Sequence, residues 1–244
     1  MEIAEYQNMY RHEGSHFFYV TLHNLVINLI RRYRKKANLK ILDAGCGTGM
    51  LALQMQKLGK VDAFDASSKA RFLSRKRGID AKRGNLLKIP YASNKFDIAT
   101  CIDVLISVDD DMRALSQLNR VLVPGGILIV RVSADKKLIL SHDKYIHGVR
   151  RYEKGELGDK LRQAGFSIER LTYMNFSLYP LAWLKHIEEV VFPPKFESVI
   201  GETNFLINKL LTWEIDLENR WLENHDLPIG LGVLAVARKR VNGK

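Results

Sequence analysis

The sequence predicts an α/β fold, a mostly parallel sheet with helices on both faces. Three observations predict it. Short apolar runs (LKILDA, VDAFDA, FDIATCID, GGILIVRVS) alternate with segments of helical periodicity. A glycine-rich turn, AGCGTG, follows the first of these runs, and an acid stands at or near the end of the first two, Asp43 and Asp65. Parallel strands need long crossover connections, and the intervening helical segments supply them.

The elements follow in order. Residues 15–36, SHFFYVTLHNLVINLIRRYRKK, place Phe18, Leu22, Leu25, Val26, Leu29 and Ile30 at helical spacing, with Ser15 as the cap and cations at the end. LKILDA reads as a strand, TGMLALQMQKLG as a helix, VDAFDA as a strand, SSKARFLSRKRG as a helix and IDAKRG as a third strand. FDIATCID is the fourth strand, DDDMRALSQLNRVL a helix and GGILIVRVS the fifth strand. YEKGELGDKLRQAG then reads as a helix, FSIERLTYMN as a strand and LGVLAVARKR as the last strand.

Between the last two strands the chain inserts LYPLAWLKHIEEVVF and FLINKLLTWEIDLENRWLEN, two helical patterns separated by the helix-breaking PPKF. An insertion of this length reads as a lid or recognition element, as an interface, or as additional structural helices. Trp183, Trp213 and Trp221 fall on it at spacing that reads first as core packing and second as cover for an acceptor. The chain is expected to be a single domain over 1–244: a leading segment 1–38, a ligand-binding core 39–174, the insertion 175–228, and a last strand with tail 229–244.

The 244 residues are 46% hydrophobic and 27% charged, values of a folded chain, with a net charge of +11. That charge favours anionic partners, although the clusters at 31–36, 74–77 and 238–240 also read as solvated ends of elements. Cys46 and Cys101 have no paired spacing and no accompanying histidine cluster, so neither a disulfide framework nor a metal site is expected. The N-terminus lacks the apolar core of a signal peptide and no apolar run is long enough to span a bilayer, so a cytoplasmic location is expected, with peripheral membrane contact left open.

The turn at 41–51, ILDAGCGTGML, carries Gly45, Gly47 and Gly49 between a strand and a helix. There, free backbone N–H groups and missing side chains would let a ligand approach the chain. Asp65 stands about twenty residues on, where a carboxylate would meet ribose hydroxyls; Asp62 is the weaker candidate. In GNLLKIPY, Asn85 can hydrogen-bond an adenine edge while Leu86 covers its face, and the fourth strand ends in CID at the carboxyl edge. A nicotinamide-binding domain would space its glycines G-x-G-x-x-G, whereas the frame here is D-x-G-x-G-x-G.

ILDAGCGTG, VDAFDAS, GNLLKIPY, FDIATCIDVL and LNRVLVPGGILIV, in this order, resemble the successive motifs of class I S-adenosylmethionine-dependent methyltransferases over residues 39–133. LPIGLGVLAVARK is similar to that family's final antiparallel strand. The resemblance implies a Rossmann-like seven-stranded sheet with an antiparallel last strand, and S-adenosylmethionine as cofactor. It implies that Asp43, Ala44, Gly45, Cys46, Gly47 and Gly49 hold the methionine end, with Cys46 as packing. It likewise gives Asp65 and Ala66 the ribose, Asn85 and Leu86 the adenine, and Ile102 and Asp103 the space under the sulfonium.

The segment 141–157, SHDKYIHGVRRYEKGEL, crowds His142, Asp143, Tyr145, His147, Arg150, Arg151 and Tyr152 together after the fifth strand. If the acceptor is a hydroxyl or a protonated amine, His142, His147 or Tyr152 could act as base. Arg150 and Arg151 could clamp an anion, with Tyr145 beside them, or could bridge to acids of the chain. This segment resembles methyltransferases found with bacterial and archaeal glycan-assembly enzymes, but reads His147-Gly148 where they have Gly-His, and HFFY at 16–19 where they carry His-Trp-Trp-Phe.

The expected function is methyl transfer to an oxygen or nitrogen of a small, sugar-linked or lipid-linked acceptor. Two alternatives remain: a nucleic-acid methyltransferase, prompted by the net charge, and a cofactor-binding partner protein without catalysis. Against the first, CIDVLIS replaces the Asn/Asp-Pro-Pro-Tyr sequence that grips a flipped base.

Overall fold

The computed structural model describes residues 3–138, 143, 148, 150–192 and 203–241. The leading segment folds as two helices, α1 (Ile3–His12) and α2 (Phe17–Tyr33). The sequence expectation began the second helix at Ser15; its cap is His16, whose Nδ1 accepts from the Phe18 N–H at 3.3 Å. The segment 1–38 was expected to be helical, with its helix placed only from residue 15; α1 is a second helix before it.

The alternating elements are β1 (Leu39–Ala44), α3 (Met50–Met55), β2 (Gly59–Asp65), α4 (Ser68–Lys76), β3 (Lys82–Arg83), β4 (Phe96–Ile102), α5 (Asp111–Val121) and β5 (Leu122–Ser133). Then come α6 (Lys154–Gln163), β6 (Phe166–Met174), α7 (Tyr179–Val191), α8 (Phe205–Trp221) and β7 (Gly232–Lys239). They form one seven-stranded sheet in the order β3-β2-β1-β4-β5-β7-β6. β1 to β5 pair in parallel, and β7 runs antiparallel to both of its neighbours. β3 is far shorter than the IDAKRG expectation, because the chain turns away at Gly84, where an added Cβ would stand 2.6 Å from Pro90 Cδ. The Pro124-Gly125-Gly126 turn sits at a register jump, with Leu122 opposite Phe96 and Ile127 opposite Ile98.

Strand alternation sends two sets of side chains to opposite faces. Ile41, Ile98, Ile129 and Val236 pack against Leu22, Val26 and Ile30 of α2. Leu42, Ala99, Leu128 and Val130 pack with Leu115 and Leu118 of α5 and with Leu157 and Leu161 of α6. Each fully buried Leu or Ile contributes about 1.5–3 kcal/mol, so this double layer fixes the strand ends that carry the site.

β6 is parallel to β5, so it ends at the carboxyl edge; β7, antiparallel, starts there. The inserted helices therefore leave and rejoin the sheet at the same edge as the glycine turn. α8 packs on α2 through Ile215 and Asn219, whose Nδ2 donates to the Thr21 carbonyl at 3.2 Å. Reading the tryptophans as core is corrected here. Trp213 and Trp221 are 61% and 56% exposed, because the face of α8 that packs is the one bearing Ile215 and Asn219. Among the described residues, no helix is long and apolar enough to cross a membrane.

Candidate cofactor and acceptor site

β1 delivers Asp43 to the carboxyl edge, and the chain then turns through three glycines at positive φ: Gly45 at 80°, Gly47 at 53° and Gly49 at 86°. A Cβ on Gly45 would lie 2.5 Å from Val104 Cγ2, so this wall of the site is closed to any side chain. The expectation of free N–H groups is corrected. Gly45 and Cys46 donate to the Phe64 carbonyl at 2.9 and 3.1 Å, and Gly47 donates to Asp65 Oδ2 at 2.9 Å. What the glycines offer is close approach, with their amides holding β2 and its acid in place. Cys46 is buried beside Ala52 and Ala63, and burial pushes its thiol up, so it packs.

Asp65 also accepts from the Ser67 N–H at 2.8 Å, which fixes its carboxylate between the glycine turn and the start of α4. Burial raises its carboxyl. Asp43 accepts from Thr100 Oγ1 at 2.8 Å, and burial pushes its carboxyl up to about 7. No cation among the described residues relieves Asp43. Asp62, by contrast, is held by Lys95 Nζ at 2.6 Å, away from any ligand role.

Sequence reasoning missed the contribution of the N-terminal helices. Glu13, buried between α1 and α2, accepts from Thr48 Oγ1 in the glycine turn and from Arg77 at the end of α4. Arg77 also donates to the Thr48 and Tyr10 carbonyls at 3.1 and 2.7 Å. Met9 Sδ lies 3.3 Å from where a Gly47 Cβ would be, and burial and Asp65 raise the phenol of Tyr6. α1 therefore lies across the turn and the second acid. Nothing local in His12-Glu13-Gly14 signals this, since the partners Thr48 and Arg77 are distant in sequence.

At the third crossover, Asn85 is exposed and its Oδ1 accepts from the Lys88 N–H at 3.0 Å. Leu86 is buried in the core, so the expectation that its side chain covers a ligand face is corrected: it can present only backbone there. Ile102 is half-buried, and Asp103, at φ 57°, pairs with Arg131, whose guanidinium lies 5.4 Å from the centre of the Phe18 ring.

In the segment after β5, His142, Tyr145 and His147 lie outside the described residues. Tyr152 is fully buried and donates its hydroxyl to Asp111 Oδ2 at 2.9 Å. Its place as a base is corrected on that ground, since it faces the core and burial holds its phenol protonated. Arg150 donates to Asp111 at 2.8 Å, and Arg151 forks onto Asp143 at 2.9 and 3.1 Å. Of the two readings of this pair, bridging to acids of the chain is the one the geometry supports. Burial alone would raise the Asp111 carboxyl, but bonds from Lys160 and Tyr152 hold it below the usual range.

A groove of about 390 Å³ opens elsewhere, between α2, α3 and α8, lined by Asn24, Asn28, Lys57 and Asp216. It shares no residue with the glycine wall, and the chemistry stays with the buried acids. Among the described residues, no group of His, Cys, Asp or Glu is placed to hold a metal ion.

This sheet order, with β7 inserted antiparallel between β5 and β6 and a glycine wall after β1, is the one that the resemblance to class I S-adenosylmethionine-dependent methyltransferases implied. Residues 42–130 match the family model described as a methyltransferase domain. A 2-phytyl-1,4-naphtoquinone methyltransferase of Synechococcus elongatus is 38% identical over 99 residues, covering 36% of this chain and 42% of that protein. This chain thus spans less than half the length of that relative. A ubiquinone biosynthesis O-methyltransferase of Thiobacillus denitrificans is 28% identical over 173 residues, covering 62% of this chain and 74% of the relative. The solved structure of an S-adenosylmethionine-dependent methyltransferase from Thermotoga maritima superposes with a TM-score of 0.65 at 19% identity, covering 98% of this chain and 96% of that one. At that identity the likeness is one of fold.

Proposed function

We propose that the chain transfers the methyl group of S-adenosylmethionine to an oxygen or nitrogen atom of a small, lipid-linked acceptor. The observation that carries the cofactor assignment is Asp43, a buried carboxyl raised to about 7 beneath the side-chain-free wall at Gly45. A ligand bearing an ammonium and a sulfonium suits such a site, because it supplies the positive charge that the chain withholds. Asp43 and the wall would hold the methionine end, Asp65 the ribose hydroxyls, and Asn85 with the backbone of Leu86 the adenine.

The bound cofactor supplies a methyl already activated on sulfur, so the chain's task is alignment of the acceptor and exclusion of water. α1 across the glycine turn and the insertion at the carboxyl edge serve that exclusion. A base for an O–H or N–H acceptor would come from His142 or His147. Between sugar-linked and lipid-linked acceptors, the quinones that appear in the names of the two relatives and the apolar outer faces of α7 and α8 support the lipid-linked class.

Calorimetric titration of the protein with S-adenosylmethionine tests the donor side; absence of binding would sink the reading. Transfer of labelled methyl to a prenylated phenol but not to a sugar tests the acceptor class. Binding without transfer to any acceptor would favour a non-catalytic partner. The net charge of +11 keeps a nucleic-acid acceptor as a second reading, checked by labelling of RNA or DNA in the same assay.

A further inference from the structure

α7 has no buried side chain. Leu181, Leu184, Ile187 and Val191 recur along it at steps of three and four residues, and all are exposed. α8 is two-faced. Its inner side packs through Ile215 and Asn219, while Leu206, Leu210, Trp213, Leu217 and Trp221 form an exposed stripe at steps of three and four. Each stripe is a run of large apolar side chains held in solvent, a pattern that marks an interaction surface.

The charges around the stripe say what covers it. The exposed charged residues of α8 are Lys209 and Arg220. Its acids Glu214, Asp216 and Glu218 are half-buried, and Glu218 accepts from the Asn175 and Ser177 backbone N–H groups, at 3.1 Å from the latter. α7 adds one exposed acid, Glu188. The α8 stripe of Leu and Trp, whose exposed charged neighbours on the helix are Lys209 and Arg220, on a chain of net charge +11, matches a surface that is apolar beneath and anionic at its boundary.

We propose that the exposed faces of α7 and α8 dock the protein on an anionic lipid membrane. The stripe buries Leu210, Trp213 and Leu217 among acyl chains, the tryptophans sit at the headgroup level, and Lys209 and Arg220 meet lipid phosphates. α8 is fastened at its start, where Asn208 donates to the Ser15 carbonyl and accepts from the Phe17 N–H at 2.9 and 2.8 Å. Docking therefore holds the α1–α2 junction, and with it the carboxyl edge of the sheet, close to the lipid. The contact is independent of methyl transfer and stands or falls on its own test.

The test is co-sedimentation of the full chain with vesicles of phosphatidylcholine alone and of phosphatidylcholine mixed with phosphatidylglycerol, with tryptophan emission followed in parallel. The wild type should pellet with the anionic vesicles and shift its emission to the blue. Lys209→Glu with Arg220→Glu should weaken anionic-vesicle binding by roughly tenfold or more. Trp213→Glu with Leu217→Glu should abolish it. All four side chains are exposed, so both variants should keep the wild-type melting temperature, which separates lost docking from lost folding. Equal pelleting of the wild type and the Trp213→Glu, Leu217→Glu variant, or no pelleting of either, would overturn the proposal. So would a dimer of the wild type that this variant dissociates, which would identify a second copy as the occupant.

Discussion

Arg77, at the end of α4, donates to the carboxylate of Glu13 at the α1–α2 junction, and both side chains are less than one-tenth exposed. The same guanidinium holds the Thr48 and Tyr10 carbonyls. One side chain thus ties the N-terminal helices, the glycine turn and the second crossover together. Arg77→Met keeps the length and removes the charge, leaving Glu13 buried without its guanidinium partner. Breaking a buried pair costs about 3–5 kcal/mol. Chemical denaturation should show a loss of that order, with cofactor affinity falling as α1 loosens; unchanged stability would refute the tie.

Asp43 makes stability depend on pH in a predictable sense. Its carboxyl is raised to about 7 in the folded chain, against about 3.9 when unfolded. The native state keeps a proton that the unfolded chain has released, so this group's contribution is fully present below about pH 4. It is lost as pH rises to about 7. His23, lowered to about 4 by burial, acts in the opposite sense on the acid side, so the comparison must be made against Asp43→Asn. The ligand-free wild type should lose melting temperature relative to that variant between pH 5 and 8. A cationic cofactor reverses the preference, so its binding should release a proton near pH 6.5, read by calorimetry in two buffers of different ionisation enthalpy.

Two glycines separate backbone strain from loss of space. Gly45 and Gly125 both have positive φ, at 80° and 77°, but an added Cβ meets Val104 at 2.5 Å in the first and nothing within 4 Å in the second. Gly125→Ala should cost about 1 kcal/mol through the backbone alone and leave cofactor binding intact. Gly45→Ala should cost more and abolish cofactor binding. Similar melting shifts and affinities for both would remove the wall from the argument.

Tyr152→Phe decides between a base and a packing residue. As placed, the hydroxyl serves Asp111, which keeps Arg150 and Lys160 without it. The substitution should cost about 1 kcal/mol of stability and leave the rate of methyl transfer within about twofold, whereas loss of a general base costs about a hundredfold or more.

The sheet was legible because its signals are local. Alternating apolar runs gave β1, β2, β4 and β5, and the glycines with Asp43 and Asp65 marked the carboxyl edge. What was not legible depends on contacts far apart in sequence. Glu13 reads as a surface acid until Arg77 meets it. Tyr152 reads as an active group until Asp111 takes its hydroxyl, and Arg150 and Arg151 read as open clamps until Asp111 and Asp143 close them. Trp213 and Trp221 misled in the other direction: helical spacing shows that a face exists but does not say which face of α8 turns inward, and Asn219 and Ile215 decided that.

Met174 and Gly232 are partners across β6 and β7, so the excursion that carries α7 and α8 starts and finishes at one rung of the sheet. Such a socket tolerates exchange: its contents can lengthen, shrink or be replaced without shifting the register of a single strand. The glycine wall and its two acids are thereby insulated from changes in the inserted helices. A lineage could retool one while inheriting the other intact.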